Sequence, residues 1–153
     1  MRIKEKNVYA YQEKYESIEK ALIEGAVMKI FLSGGGLRVV RIENEKEDKL
    51  LGYGEYPTLS GALFHCEIDI KEGHISYEEQ YSGQNSKYDH YITGAFPNFD
   101  DKLDSHIYNT GESLRVIFNK NIGFLCREYR SSKIFGCATT PLKAIEKYIA
   151  NLN

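Results

Sequence analysis

The sequence has no tryptophan, only three prolines and three cysteines, and no marked excess of charge of either sign. Its 20 Lys and Arg side chains against 22 Asp and Glu side chains leave a net charge of -2. A protein dedicated to duplex nucleic acid needs a basic face for many phosphate contacts, so this balance argues against that class. The cysteines share no CxxC spacing, and in a reducing compartment such residues are typical of a core rather than of a metal or redox site.

Long apolar segments are also missing. No run approaches the roughly 20 apolar residues that a transmembrane helix needs. Residues 1–6 are mostly charged, and no apolar core of signal-peptide length follows them. We therefore expect a cytoplasmic protein without a membrane partner. The length of 153 residues predicts a single domain, 1–153, that needs no disulfide or metal to hold its core.

The N-terminal segment, residues 1–25, predicts an amphipathic helix. From about Asn7 to Glu24 apolar residues recur at spacings of three and four, and Gly25 is a typical C-cap. This narrow seam either packs across the sheet of its own domain or joins two copies, so a homodimer is the alternative. The seam consists of Val8, Tyr11, Tyr15, Ile18 and Leu22.

Segments 26–73 and 113–153 predict the same plan of three strands followed by a helix. In each segment two short β-type runs flank a turn, a third run follows, and a helix begins near a threonine and a proline. The fold class is therefore α+β, with an N-terminal helix, two β-β-β-α units and an antiparallel sheet packed by helices. An internal duplication and the chance recurrence of a common plan both explain the likeness of the units. The predicted strands are 28–33, 37–43, 49–55, 113–119, 123–129 and 133–138, and the helices are 59–70 and 141–152.

The segment between the units, 74–112, is the least regular part of the chain and contains many tyrosines. It predicts a hairpin of strands 74–81 and 88–93, followed by a loop with at most one short turn. Rigid aromatic rings beside small amides and hydroxyls are favoured in binding loops, whereas an edge hairpin that covers the core is the alternative. The candidate binding residues are Tyr77, Tyr81, Tyr88, His90 and Tyr91.

Arginine supplies the second set of candidates, since a planar guanidinium group can hold a carboxylate or phosphate through two parallel hydrogen bonds. Six arginines are present, and most of them, Arg115 included, fall on or beside the predicted strands. Salt bridges with Glu43 or Glu128 are the alternative use of these side chains. The candidate anion-binding residues are Arg38, Arg41, Arg127 and Arg130.

Each familiar catalytic or metal-binding motif lacks a required residue or spacing. The glycines at 34–36 lie between two predicted strands, whereas a phosphate loop places them at a helix N-terminus. The His, Cys, Glu and Asp side chains within 65–69 have no further ligand at a spacing typical of zinc sites. The acidic loop 98–104 lacks the glycine and glutamate of an EF-hand. We expect no metal and no cofactor, and no catalytic residue is assigned.

The small size, the mild acidity and the tyrosine-rich hairpin indicate binding rather than catalysis. We expect a non-catalytic protein that forms a stoichiometric complex with a protein or a small nucleotide-like anion, of the inhibitor, immunity or phage anti-defence type. One alternative is a small hydrolase of a phosphorylated or nucleotide substrate, in which His74 or His90 works with Glu78 or Glu79 and an arginine clamp. The other is an assembly protein that dimerises through the N-terminal helix.

Overall fold

The computed structural model describes residues 15–73, 106–107 and 110–152. This part of the chain forms a six-stranded antiparallel sheet with helices packed on it, which confirms the predicted α+β class. The predicted boundaries of the six strands and of the helices 59–70 and 141–152 differ from the observed ones by about two residues or fewer. In chain order the elements are α1 (Glu16–Ile23), β1 (Val27–Leu32), β2 (Arg38–Asn44), β3 (Lys49–Tyr56), α2 (Leu59–Lys71), β4 (Leu114–Asn119), β5 (Gly123–Glu128), β6 (Phe135–Ala138) and α3 (Pro141–Ala150).

The sheet has the strand order β3-β2-β1-β4-β5-β6. Strands β1 and β4 pair antiparallel at its centre, with Lys29 opposite Arg115. Each half is a meander that runs outward from this central pair and ends in a helix. The two β-β-β-α units therefore occupy corresponding halves of one sheet, while their origin by duplication stays a prediction.

The first hairpin of each half has a comparable turn. The Ser33 hydroxyl accepts hydrogen bonds from the backbone N–H of Gly35 and Leu37, and the Asn119 side chain accepts one from Asn121. Short side chains that bind the backbone two residues further on are typical of tight turns. The glycine cluster at 34–36 is thus part of the β1–β2 hairpin, as the sequence predicts.

The described helices α1, α2 and α3 pack on one face of the sheet, where the hydrophobic core lies. Met28, Ile30 and Val116 on the central strands share this core with Leu22 of α1 and Ile145 of α3. Burial of aliphatic side chains contributes roughly 1.5–3 kcal/mol each, so this layer is the main source of stability. Two of the three cysteines, Cys66 and Cys126, belong to the same core.

Two glycines allow the helix that ends each half, α2 or α3, to approach the outermost strand of that half closely. A Cβ atom at Gly54 would collide with the carbonyl oxygen of Ala62 and the backbone nitrogen of Cys66 in α2. A Cβ atom at Gly136 would collide with the backbone of α3 in the same way, at Ala144 and Tyr148. The position of each helix over its strand therefore depends on a residue without a side chain.

The N-terminus of α1 is capped by a residue that lies far away in the sequence. Tyr15 occupies the N-cap position without a side-chain capping bond. The buried Glu67 carboxylate of α2 instead accepts hydrogen bonds from the backbone N–H of Ser17 at 2.8 Å and Ile18 at 3.0 Å. A carboxylate at this position satisfies free N–H groups and interacts favourably with the positive end of the helix dipole.

Other polar side chains of α2 bind the edge strand β3. The buried Asp69 carboxylate accepts a hydrogen bond from the Tyr53 N–H at 2.9 Å, and His65 Nδ1 lies 3.1 Å from the Glu55 carbonyl oxygen. An edge strand presents unpaired backbone groups, and these contacts satisfy two of them. The polar side chains within 65–69 therefore connect α2 to α1 and to β3.

The described part of the N-terminal seam packs into the core of its own domain. Tyr15, Ile18 and Leu22 are 3%, 0% and 1% exposed. Val8 and Tyr11 lie outside the described residues. The prediction of one continuous helix from about Asn7 to Glu24 is wrong at Tyr15, which has a non-helical backbone and forms the N-cap of a helix that begins at Glu16. Over its described length, the N-terminal seam is therefore occupied by contacts within the chain.

Most of segment 74–112 also lies outside the described residues, including the predicted tyrosine-rich hairpin. Among the helices that the structure does describe, none combines the length and the hydropathy required to span a membrane.

Candidate functional site

The face of the sheet turned away from α1, α2 and α3, here called the far face, carries a row of basic residues. Directly opposed residues in antiparallel strands point to the same side of a sheet. Since Met28 and Ile30 on either side of Lys29 are buried in the core, Lys29 and its cross-strand partners point to the far face. From one edge of the sheet to the other this row is Tyr53, Arg41, Lys29, Arg115, Arg127 and Phe135.

Three of the four cations in the row are paired with carboxylates. Glu43 accepts hydrogen bonds from Arg41 Nε at 2.6 Å and from Lys29 Nζ at 3.0 Å. Glu45 binds the Arg115 guanidinium group through two bonds of 3.1 Å and lies 3.3 Å from Lys29 Nζ. The hydrogen bond to Glu43 raises the pKa of Lys29, and the hydrogen bond from Arg115 lowers the pKa of Glu45. Burial opposes ionisation of Glu43, but the bonds from Arg41 and Lys29 outweigh it and lower its pKa.

Arg127, the fourth cation, is held differently. Its guanidinium group donates to the carbonyl oxygens of Glu128 at 2.9 Å and Tyr129 at 3.4 Å. Among residues 15–73, 106–107 and 110–152, no carboxylate forms an ion pair with it. The row therefore has four cations against two bound carboxylates, and Arg127 at the β5 end is the cation that has no carboxylate partner among the described residues.

The same end of the far face exposes aromatic rings. Tyr129, which follows β5, is 51% exposed, and Phe135, the cross-strand partner of Arg127, is 48% exposed. On the opposite half of the sheet Val39 is only 2% exposed. We call Arg127, Tyr129, Arg130 and Phe135 the arginine–aromatic patch. It combines accessible apolar surface with guanidinium groups that can bind an anion.

A polar cavity of about 450 Å³ adjoins this patch. It lies where the start of β4 meets the end of β5, and the Tyr129 N–H donates to the Ser113 carbonyl oxygen at 2.7 Å beside it. Arg130 contributes a cation to its wall and Glu112 a carboxylate. The described lining residues are Thr110, Gly111, Glu112, Ser113, Tyr129 and Arg130.

The geometry disfavours one use of the row. The backbones at Arg41 and Arg127 are separated by three strand spacings, or about 14 Å. A single carboxylate or phosphate group could bind both guanidinium groups only if Arg41 left Glu43 and Arg127 left the carbonyl oxygens that hold it. A ligand that uses the whole row must be extended, whereas the arginine–aromatic patch can bind one acidic group beside an apolar contact.

The arginines that the sequence singled out do not all share one face. Arg41 and Arg127 stand in the basic row, and Arg130 lies beside the cavity. Arg38 is placed differently, since its Nη1 donates to the carbonyl oxygens of Gly36 at 3.2 Å and Pro57 at 2.9 Å. For Arg41 the alternative use is observed, because its Nε forms a salt bridge with Glu43. The five candidates of the tyrosine-rich hairpin lie outside the described residues: Tyr77, Tyr81, Tyr88, His90 and Tyr91.

A second polar cluster lies on the helix side, at the end of β5. The Tyr148 hydroxyl donates to Glu128 Oε2 at 2.8 Å and lies 3.3 Å from His106 Nε2. Burial raises the pKa of Tyr148, and the bond to Glu128 adds to this effect, so the phenol stays protonated. This cluster joins α3, β5 and the segment that contains His106, and its buried phenol is not placed to act as a base.

Two further expectations concern catalysis and metal binding. Within residues 15–73, 106–107 and 110–152, no three His, Cys, Asp or Glu side chains are arranged to hold a metal ion. The pair considered for a hydrolase, His74 or His90 with Glu78 or Glu79, lies outside those residues.

Four residues of the row and the patch were not identified from the sequence: Lys29, Tyr53, Tyr129 and Phe135. Lys29 interrupts an apolar run, which marks it as the outward position of β1. Tyr129 stands alone between Glu128 and Arg130, whereas Phe135 lies in the largely apolar run 134–138. Neither pattern distinguishes a core position from an exposed one. Only the pairing of β5 with β6 places Phe135 beside Arg127.

Comparison with known proteins gives no family to which the site can be referred: no family model, no curated protein and no solved structure matches the chain significantly.

Proposed function

We propose that this is a non-catalytic binding protein whose arginine–aromatic patch engages an acidic surface of a partner protein in a stoichiometric complex. An inhibitor, an immunity protein and a phage anti-defence protein all act in this way. The observation that carries the proposal is Arg127, a guanidinium group without a carboxylate partner among the described residues, flanked by two half-exposed aromatic rings.

The residue types of the patch favour a protein as the partner. Arginine and tyrosine are enriched among the residues that dominate interface energetics, where they combine apolar area with hydrogen bonding. Tyr129 and Phe135 expose about half of their surfaces, and a partner that covered them would remove this apolar area from water. A small anion would contact Arg127 but would leave both rings in water.

The charge of the patch favours an acidic partner. Glu43 and Glu45 bind the cations of the row on β2, β1 and β4. Arg127, at the β5 end, is therefore the cation of the row that is available to a carboxylate of the partner. An Asp or Glu side chain of the partner can bind Arg127 bidentately, and complementary charge also accelerates association.

The proposal is tested by affinity capture with the full-length tagged chain and its Arg127→Glu variant. We expect the wild type to retain one protein at a ratio of one to one. Charge reversal at the centre of such an interface should weaken the affinity about 100-fold or more, since it replaces an attraction with a repulsion. Calorimetry with the purified partner gives the dissociation constants.

The matched control is Lys143→Glu, which makes the same change of charge at an exposed position on α3, away from the far face. This variant should bind like the wild type. Retention of the same protein by all three chains with equal affinity would show that the patch is not the interface. Capture of a small anion without any protein, detected by native mass spectrometry, would contradict the choice of partner.

A further inference from the structure

A groove of about 500 Å³ lies on another part of the molecule, between α1, the start of β3 and the end of α2. Volumes of this size are typical of small-molecule sites. The groove lies close to none of the four residues of the arginine–aromatic patch, since its described walls belong to residues 17–24, 49–51 and 70–73.

The floor of the groove is aliphatic. Ala21, Leu51 and Ile70 pack against the hydrophobic core on one side and line the groove on the other, and Leu50 adds to the same surface. Because Gly52 has no side chain, Ile70 can approach β3 closely and close the floor. An alkyl chain that covers this floor would remove several half-buried side chains from water.

The rim of the groove is cationic. Lys20, Lys49 and Lys71 are exposed and line the groove, and none of them forms an ion pair with another described residue. Glu24 is the carboxylate among the described lining residues. Three ammonium groups against one carboxylate leave two positive charges around an apolar floor.

We propose that this groove binds an anionic amphiphile, meaning an alkyl chain that carries a phosphate or carboxylate group. Ammonium groups on flexible stems attract such a head group as point charges and do not require one fixed geometry. The described lining contains no aromatic ring on which a base could stack and no amide side chain that could read its edge, so a nucleotide fits less well. The inference is independent of the function proposed above.

The test uses calorimetry of the full chain with decyl phosphate below its micelle concentration. One saturable site is expected, and the Lys49→Gln/Lys71→Gln double variant should bind about tenfold more weakly, since it loses two attractive charges. Ala21→Leu, which fills part of the floor and keeps all the lysines, should weaken binding as well. Inorganic phosphate lacks the alkyl chain and decanol lacks the anionic head group, so each should bind far more weakly than decyl phosphate.

The control double variant Lys133→Gln/Lys143→Gln removes two exposed lysines elsewhere and should bind decyl phosphate like the wild type. Phosphatidylcholine vesicles with and without phosphatidic acid show whether the amphiphile is a membrane lipid or a free molecule. Co-sedimentation only with the acidic vesicles identifies a membrane lipid. Absence of co-sedimentation, when decyl phosphate binds, identifies a free amphiphile. Absence of saturable binding, or equal binding by the two double variants, would overturn the assignment.

Discussion

Replacement of Gly54 by alanine should lower the free energy of unfolding by about 3 kcal/mol, at the upper end of the usual cost of overpacking a core. The added Cβ would meet backbone atoms of Ala62 and Cys66, which cannot rotate away as a flexible side chain can. Helix α2 would have to move away from β3 and would strain its bonds to the edge strand. Urea denaturation monitored by circular dichroism measures the change.

Gly34→Ala is the matched control, because a Cβ at Gly34 would meet no atom within 4 Å. It should change the free energy of unfolding by about 0.5 kcal/mol or less. Gly136→Ala should behave like Gly54→Ala, since the backbone of α3 lies against it. Equal stabilities of the Gly34 and Gly54 variants would show that the close approach of helix and strand is not required.

The stability of the fold should fall at acidic pH because His65 is buried. Burial lowers the pKa of His65 to about 4, against an ordinary value of 6.5, although the bond to the Glu55 carbonyl acts in the opposite direction. Between these two values the unfolded chain binds a proton that the folded chain does not, so stability falls as the pH falls. His65 alone should remove roughly 3 kcal/mol between about pH 7.5 and about pH 4.

His65→Gln isolates this contribution, since glutamine can donate to the Glu55 carbonyl but does not titrate. The difference in unfolding free energy between wild type and variant, measured at several pH values, cancels the contribution of the carboxylates that both chains share. We expect this difference to shrink as the pH falls below 6.5. A difference independent of pH would mean that His65 takes up its proton as readily in the folded chain as in the unfolded one.

The sequence predicts the elements because their signals are local. Thr140 followed by Pro141 indicates the start of α3, and the Thr140 hydroxyl accepts a hydrogen bond from the Lys143 N–H at 3.1 Å. Alternation and turn residues locate the six strands in the same way. Each of these signals lies within a few residues of the structure that it specifies.

The candidate site depends on contacts between distant segments. Lys29 and Arg115 become neighbours only through the pairing of β1 with β4, which no local pattern specifies. The same holds for Glu45, which neutralises Arg115 across 70 positions of sequence. The sequence therefore identified Arg41 and Arg127 as candidates but could not show which of them is paired with a carboxylate.

Hydrogen–deuterium exchange on the purified complex with the captured partner would show whether the arginine–aromatic patch is the interface. We expect the partner to protect the backbone amides of 123–138, which contain β5, the arginine–aromatic patch and β6, and to leave exchange in α3 unchanged. Protection confined to α1 or α3, with no change across 123–138, would show that the patch is not the interface.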